Sequence, residues 1–169
     1  MKKDLAIIFG LFILIVALLA FGQGLTSLGF VKDEGGQTQT PERQKGFVDV
    51  GIKTLNVNAK VASKPSDRKK GLSNLNSLPL GEGMLFVFEN KSTYSFWMKD
   101  MKFAIDIIWI DESKRVVDLA VNVPPEPGRD EDELTMYRPR SEALYVLEIN
   151  AGLSQLHNIE IGDVANFEL

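Results

Sequence analysis

The sequence predicts a mostly β (β-rich α+β) domain: a compact antiparallel barrel or sandwich of about eight short strands with one or two short helices. Three observations carry this. Apolar residues alternate with polar ones through Phe47-Val48-Asp49-Val50-Gly51-Ile52 and again through Leu55, Val57, Ala59 and Val61, the period-two signature of a half-buried strand. Ile105-Asp106-Ile107-Ile108-Trp109-Ile110 is almost continuously apolar, as a central strand covered on both faces requires. Clusters of Gly, Pro, Asn, Asp and Ser break the chain at short intervals, which suits turns between short strands.

Taken in order, 47–52 and 55–61 are the first two strands. Ser63 is placed as an N-cap with Pro65 in a first helical turn, so 65–72 is expected to be a short helix. Arg68, Lys69 and Lys70 fall late in it, where cations suit the negative end of the helix dipole, and Gly71 serves as C-cap. Residues 73–83 read as loop. Strands are expected over 84–88, 94–98 and 103–110. A polar turn at 111–114 then returns the chain as 115–123, until Pro124, Pro125 and Pro127 stop it. Residues 126–140, with the acidic run Asp130-Glu131-Asp132-Glu133, read as a long solvated loop. A strand over 143–149, a short helix or turn over 152–157, a turn at Gly162-Asp163 and a closing strand over 164–169 complete the domain.

The amino-terminal part is of another kind. Lys2 and Lys3 precede a stretch, 5–31, without a single charge, long enough to cross the ~30 Å hydrocarbon core as a helix. The rival reading is a secretory signal with Ala20-Phe21-Gly22 as cleavage site. The expected apolar length of a signal, about 7–15 residues, favours the uncleaved anchor. Both readings put the domain on the extracytoplasmic side, either on the cell membrane by a single pass or secreted after cleavage. Residues 32–46 are rich in Gly, Gln, Thr and charges and read as a flexible tether. The chain thus divides into an anchor or signal segment (1–31), a tether (32–46) and a folded domain (47–169).

Composition narrows the chemistry. Of 169 residues, 44% are hydrophobic and 25% charged, which allows a core. Residues 46–169 carry 14 Lys and Arg against 19 Asp and Glu; an acidic domain has no electrostatic footprint for a phosphate backbone, so nucleic acid is not an expected partner. The chain has no cysteine, which removes disulfides, thiolate nucleophiles and Cys-bound metals. His157 is the only histidine, and the acidic run lacks calcium-loop spacing. Neither a metal nor a cofactor is expected. No phosphate loop, Gly-x-Ser-x-Gly elbow or His-Glu-x-x-His is present.

From residue 47 to 169 the chain resembles the DUF192 (UPF0127) family. Arg68, Gly71 and Leu72 match its Arg-x-x-Gly-Leu helix end, and Pro79, Gly83, Met84, Leu85, Phe86 and Phe88 match the run into a core strand. Phe96, Trp97, Met98 and Lys99 match its Phe-Trp-Met-Lys element. Asp106 matches the Leu-Asp-Ile strand, Tyr145, Leu147 and Glu148 the Tyr-Val-Leu-Glu strand, and Gly162-Asp163 the late turn. Asp100-Met101 stands where members often have Asn-Thr, and a cysteine pair that many members carry within 123–137 is absent. A redox role for relatives therefore does not transfer. The family's function is unknown, so the resemblance implies a fold and no reaction.

Five side chains are singled out as candidate ligand-binding residues: Arg68, Trp97, Lys99, Asp106 and Glu148. Phe96 and Met98 are expected to face the core on alternate positions, leaving Trp97 and Lys99 outward, where a large indole invites a ligand. Asp106 interrupts an apolar strand, so a buried carboxylate paired with Arg68 or Lys99 and pinning the 96–101 segment is expected. Glu148 sits in a similar setting, and the two together could form a glycosidase-like carboxylate pair. Three functions stay open: a non-enzymatic binding or accessory module at the cell envelope with Trp97, Lys99 and the loop 126–140 as its ligand surface; a small hydrolase or lyase using Asp106 and Glu148; and a structural subunit of an envelope complex. The partners so implied are the membrane, an envelope protein or a glycan.

Overall fold

The computed structural model describes residues 45–169; the expected anchor and most of the tether lie outside them. Among the described residues no helix is long and apolar enough to cross a membrane.

Among the described residues seven strands form one sheet. Strands β1 (Phe47–Ile52) and β2 (Leu55–Ala62) make a hairpin in register from Phe47 opposite Lys60 to Ile52 opposite Leu55. Its two-residue turn holds Lys53 at φ 52°, the left-handed geometry that matches the twist of paired strands. The chain then crosses the sheet's face through α1 (Pro65–Lys70) and re-enters as β3 (Glu82–Ser92), parallel to β2, with Asn58 opposite Glu82 and Ala62 opposite Phe86. A parallel neighbour needs such a crossover, and this joint is the exception to the antiparallel expectation. Strands β4 (Ile105–Ile110), β5 (Val116–Val123) and β6 (Ala143–Asn150) follow, then the helical turn α2 (Leu153–Leu156) and the two-residue β7 (Ala165–Asn166). The order across the sheet is β5-β4-β6-β3-β2-β1-β7.

The sheet curls until its ends meet. β7 pairs with β1, Gly51 opposite Asn166. Just before β7, Val164 bridges Arg115, Val116 donates to the Asp163 carbonyl at 2.8 Å and Ala165 to the Lys114 carbonyl at 2.8 Å. Residues 162–166 therefore join the two ends of the sheet into a half-barrel. Inside the curl lies one apolar cluster with contributions from every strand, among them Val50, Ile52, Val57, Leu85, Ile108, Ile110, Val116, Leu147, Ile149 and Ala165. A second cluster lies on the opposite face of β3, β4 and β6: Leu72, Met84, Phe86, Met98, Met101, Ile107, Trp109 and Val146. Covered on both faces, all six residues of β4 are buried, as its unbroken apolar run requires.

Several expectations are corrected. Residues 94–98 are not a strand: apart from a bridge between Phe96 and Tyr137, the segment lies across the outer cluster as a roof, and the count falls from eight strands to seven. Its alternation arises because one side packs on the sheet while the other meets solvent, a pattern that does not need a strand partner. Ser63 is not the helix cap. Lys64 holds that place without a side-chain bond, and the helix stops at Lys70, with Gly71 at φ 50° donating its N–H to the Asp67 carbonyl. The loop 126–140 is ordered by its own side chains. Glu126 accepts the Thr135 amide at 2.9 Å and hydroxyl at 2.8 Å, Leu134 is buried, and residues 131–133 form a 3-10 turn with a capping box. The expected closing strand shortens to the two residues of β7. His157 is half-buried at the end of α2, its Nδ1 2.9 Å from the Thr54 hydroxyl.

Candidate functional site

Asp106 lies on β4 opposite Ile149, so it shares the inner face with Ile108 and Ile110. It is 0% exposed. Its carboxylate accepts backbone N–H groups from Asn122 at 2.7 Å, Gly152 at 3.1 Å and Ser154 at 2.8 Å. Asp106 is thus buried and fully engaged, but neither Arg68 nor Lys99 is its partner and it does not pin the 96–101 segment. It ties the end of β5 and the start of α2 to the middle of the sheet. The donors are backbone groups, which satisfy a buried carboxylate without placing a second charge beside it.

Glu148 lies on the next strand, opposite Ile107 of β4 and Met84 of β3. Paired residues project to the same face, and Ile107 is one residue on from Asp106, so the two carboxyl groups stand on opposite faces of the sheet. The expected carboxylate pair does not exist. Glu148 points instead into a recess on the outer face.

That recess has a volume of about 430 Å³, within the span of small-molecule sites. Its floor is Glu148 with Phe86 of β3, and its roof is the 94–101 segment. Phe96 meets Phe86 edge-on with ring centres 4.9 Å apart and Trp109 at 6.2 Å. The Trp109 indole N–H donates to the Tyr94 carbonyl at 2.9 Å, which fixes where the roof begins. Tyr94 stacks on Phe88, with centres 3.5 Å apart and planes 10° from parallel. Met98 is buried at 1% exposure while Trp97 is 40% exposed, the inward and outward split that alternation predicts.

One wall is the C-terminal end of α1. The Arg68 guanidinium lies over the Phe88 ring at 5.0 Å and donates to the carbonyls of Ser63 and Val87, the latter at 3.1 Å. Both acceptors are neutral, so its charge is not matched by a carboxylate among the described residues. Lys69 and Lys70 follow on the same wall. Across the opening, Lys99 pairs with Glu131 of the ordered loop, which raises the lysine's pKa, and its ammonium stands 5.8 Å from the Trp97 ring centre. The loop 126–140 therefore reaches the rim through Glu131.

Glu148 is 5% exposed, and among the described residues nothing hydrogen-bonds or ion-pairs with its carboxyl group. Burial alone pushes its pKa up to about 8. At neutral pH it is a protonated acid, able to donate one hydrogen bond and accept another.

Arg68, Trp97, Lys99 and Glu148 thus line one recess, and Asp106 stands apart from it. The aromatic lining from Phe86 and Phe88, and the role of Glu131 opposite Lys99, were missed in the sequence. The alternation of Met84, Phe86 and Phe88 marked one face of β3 but not which covering would leave a gap over it. The acidic run did offer a charge opposite in sign to Lys99.

Fold and recess together define a small, mostly β domain with a ligand-sized hollow roofed by a single irregular segment. The chain belongs to the DUF192 family, described as "Uncharacterized ACR", whose model matches residues 48–167. A UPF0127 protein of Thermococcus gammatolerans is 30% identical over 92 residues, 53% of this chain and 54% of that protein. A second, from Thermococcus kodakarensis, is 29% identical over 90 residues, 52% of each. The matches span about half the length of these relatives. Among solved structures, a protein of unknown function from Novosphingobium aromaticivorans superposes with a TM-score of 0.64 at 29% identity, covering 71% of this chain and 84% of that one. A putative transcription regulator from Sinorhizobium meliloti gives 0.64 at 24% identity, covering 72% and 93%, and this likeness shows the fold alone.

Proposed function

We propose that this domain is a non-enzymatic binding module that captures a small molecule in the outer recess, held at the cell envelope by its amino-terminal segment. The observation that carries the reading is the Glu148 carboxyl: nearly buried, aimed into a hollow and lacking any partner among the described residues. Its oxygens open onto the recess, since among the described residues the enclosed side-chain oxygen without a partner is that of Ser154, so a ligand entering the hollow meets a carboxyl group free to hydrogen-bond. Aromatic faces on the floor and roof supply apolar contact. Catalysis by a carboxylate pair is not available, because Asp106 and Glu148 lie on opposite faces and Asp106 is consumed by three backbone donors. The uncharged stretch 5–31 supports the tether, and the absence of basic excess in 46–169 supports a ligand other than nucleic acid.

The test uses Trp97, half outside the core. A ligand-observed NMR screen of small aromatic and aliphatic compounds should give hits that shift the Trp97 indole resonance. Trp97→Ala should remove those hits while lowering unfolding free energy by less than ~1 kcal/mol, as for a side chain that is not a core filler. Loss of ~3–5 kcal/mol, the scale of a core aromatic deletion, or hits that survive the substitution, would remove the recess as the binding surface.

A further inference from the structure

The wall of the recess carries more cations than anions. Arg68, Lys69 and Lys70 of α1 and Lys99 of the roof face Asp100 and Glu131, and Lys99 is already matched by Glu131. The α1 cations have no carboxylate partner among the described residues. Such a rim repels an amine and attracts an anion. Phe86 on the floor and Phe96 in the roof make the interior apolar around the Glu148 carboxyl, and a carboxylic acid without an internal acceptor has its O–H available to a ligand oxygen. Taking the recess as the binding site, we propose that its ligand is a small organic carboxylate with a flat apolar body: the body lies against Phe86, Phe96 and Trp97, the α1 cations offset its charge, and the Glu148 carboxyl shares a hydrogen bond with one carboxylate oxygen. The O–H···O⁻ contact so formed is of the short, charge-assisted kind.

The proposal has a titration signature. An ionised Glu148 would face the ligand's carboxylate as a like charge, so only the protonated protein binds. The Arg, Lys, Asp and Glu types facing Glu148 ordinarily titrate outside pH 7–9, so a change across that window reports this one group. With Glu148 at about 8, the competent fraction, and with it the apparent affinity, falls about tenfold from pH 7 to pH 9.

The experiment pairs 2-naphthoate with its neutral analogue 2-naphthamide, bound to the full chain in detergent and followed by calorimetry and by the ¹³C shift of the Glu148 carboxyl carbon. Naphthoate should bind more tightly than naphthamide, lose about tenfold from pH 7 to 9, and raise the midpoint of the Glu148 titration when bound. Glu148→Gln, which keeps a donor but cannot ionise, should bind with no pH dependence across that window. Arg68→Gln should narrow the gap between the two probes. Equal affinity for the two probes, an affinity flat with pH, or a Glu148 titration unmoved by naphthoate would overturn the carboxylate assignment while leaving the recess as a binding site. Failure of both probes to shift the Trp97 indole at pH 7 would overturn the assignment together with the recess. The carbon titration is made on the unsubstituted protein, so a poorly folding variant does not decide the matter.

Discussion

Asp106 and Glu148 sit on neighbouring strands, both nearly or fully buried, and have opposite fates. The first accepts three backbone N–H groups; the second accepts none. Asp106→Ala would strand three donors, each costing ~1–3 kcal/mol when left unpaired. We expect a loss of ~3–5 kcal/mol in urea unfolding, with the Trp97 resonance and probe binding unchanged in the folded fraction, and a near-neutral result would show that those three bonds do not hold α2. For Glu148 the sign runs the other way. Its pKa is 4.5 for an ordinary glutamate and about 8 in the fold. Between these values the unfolded chain has released the proton that the folded one keeps, so stability present below pH 4.5 is lost as pH rises toward 8. Each unit of separation is worth about 1.4 kcal/mol. Glu148→Gln should therefore overtake the unsubstituted protein in stability above pH 8, by an amount on the order of a few kcal/mol, and denaturation midpoints at pH 5 and pH 9 would measure it. Burial of both acids was legible in the sequence, since each interrupts an apolar strand. Their faces were not, because a one-residue difference in register decides them. Nor were the partners of Asp106, since backbone donors leave no mark in the side-chain sequence.

At the scale of elements, the recess depends on how closely β3 and β6 lie. Gly83 faces Ile149 across that pairing, and a Cβ built there would come within 2.9 Å of the Glu148 carbonyl. Backbone cannot yield as a flexible side chain can. Gly83→Ala should cost ~1–3 kcal/mol by overpacking and disturb the amide resonances of Leu147–Ile149 before those of β1; a neutral substitution would mean that the strands separate freely there. The same pair of strands shows why the elements were read unevenly. Strands β1 and β2 have an inner apolar face and an outer more polar one, and their alternation located them to within a residue. The 94–98 segment has two such sides as well, and only its lack of a continuous partner separates it from a strand. Phe96 pairs with Tyr137 across a gap of 41 positions, a contact that local pattern cannot announce. The loop 126–140 was expected to be solvated because its residues are polar. Its order comes from Glu126 and Thr135 bonding to each other and from Arg140 held bidentate on the buried Asp118, so polarity there is turned inward.

At the scale of the whole molecule, the first strand among the described residues begins at Phe47, and the sequence expectation puts the start of the core there. A fragment of residues 46–169 should be soluble and unfold in one cooperative step, while the full chain stays with membranes after a carbonate wash. A fragment that aggregates or melts without cooperativity would show that residues before 46 supply part of the core, and release of the full chain by carbonate would remove the anchor. The fold class was legible because the order of short alternating runs and turns is set locally. The curl that joins β5 to β1 was not, since it rests on pairings more than 100 residues apart between β7 and β1.

Residues 162–166 are hydrogen-bonded on both flanks, to the start of β5 on one side and to β1 on the other. They act as a keystone: withdrawing this one short run bares two sheet margins at once, each a row of unsatisfied amides and carbonyls. It is held by side chains as well as backbone: Arg115 donates to the Gly162 carbonyl at 3.1 Å, Lys53 pairs with Asp163 at 3.0 Å, and Ala165 is buried in the inner cluster. One short run thus keeps two sheet margins from offering themselves to a neighbouring molecule.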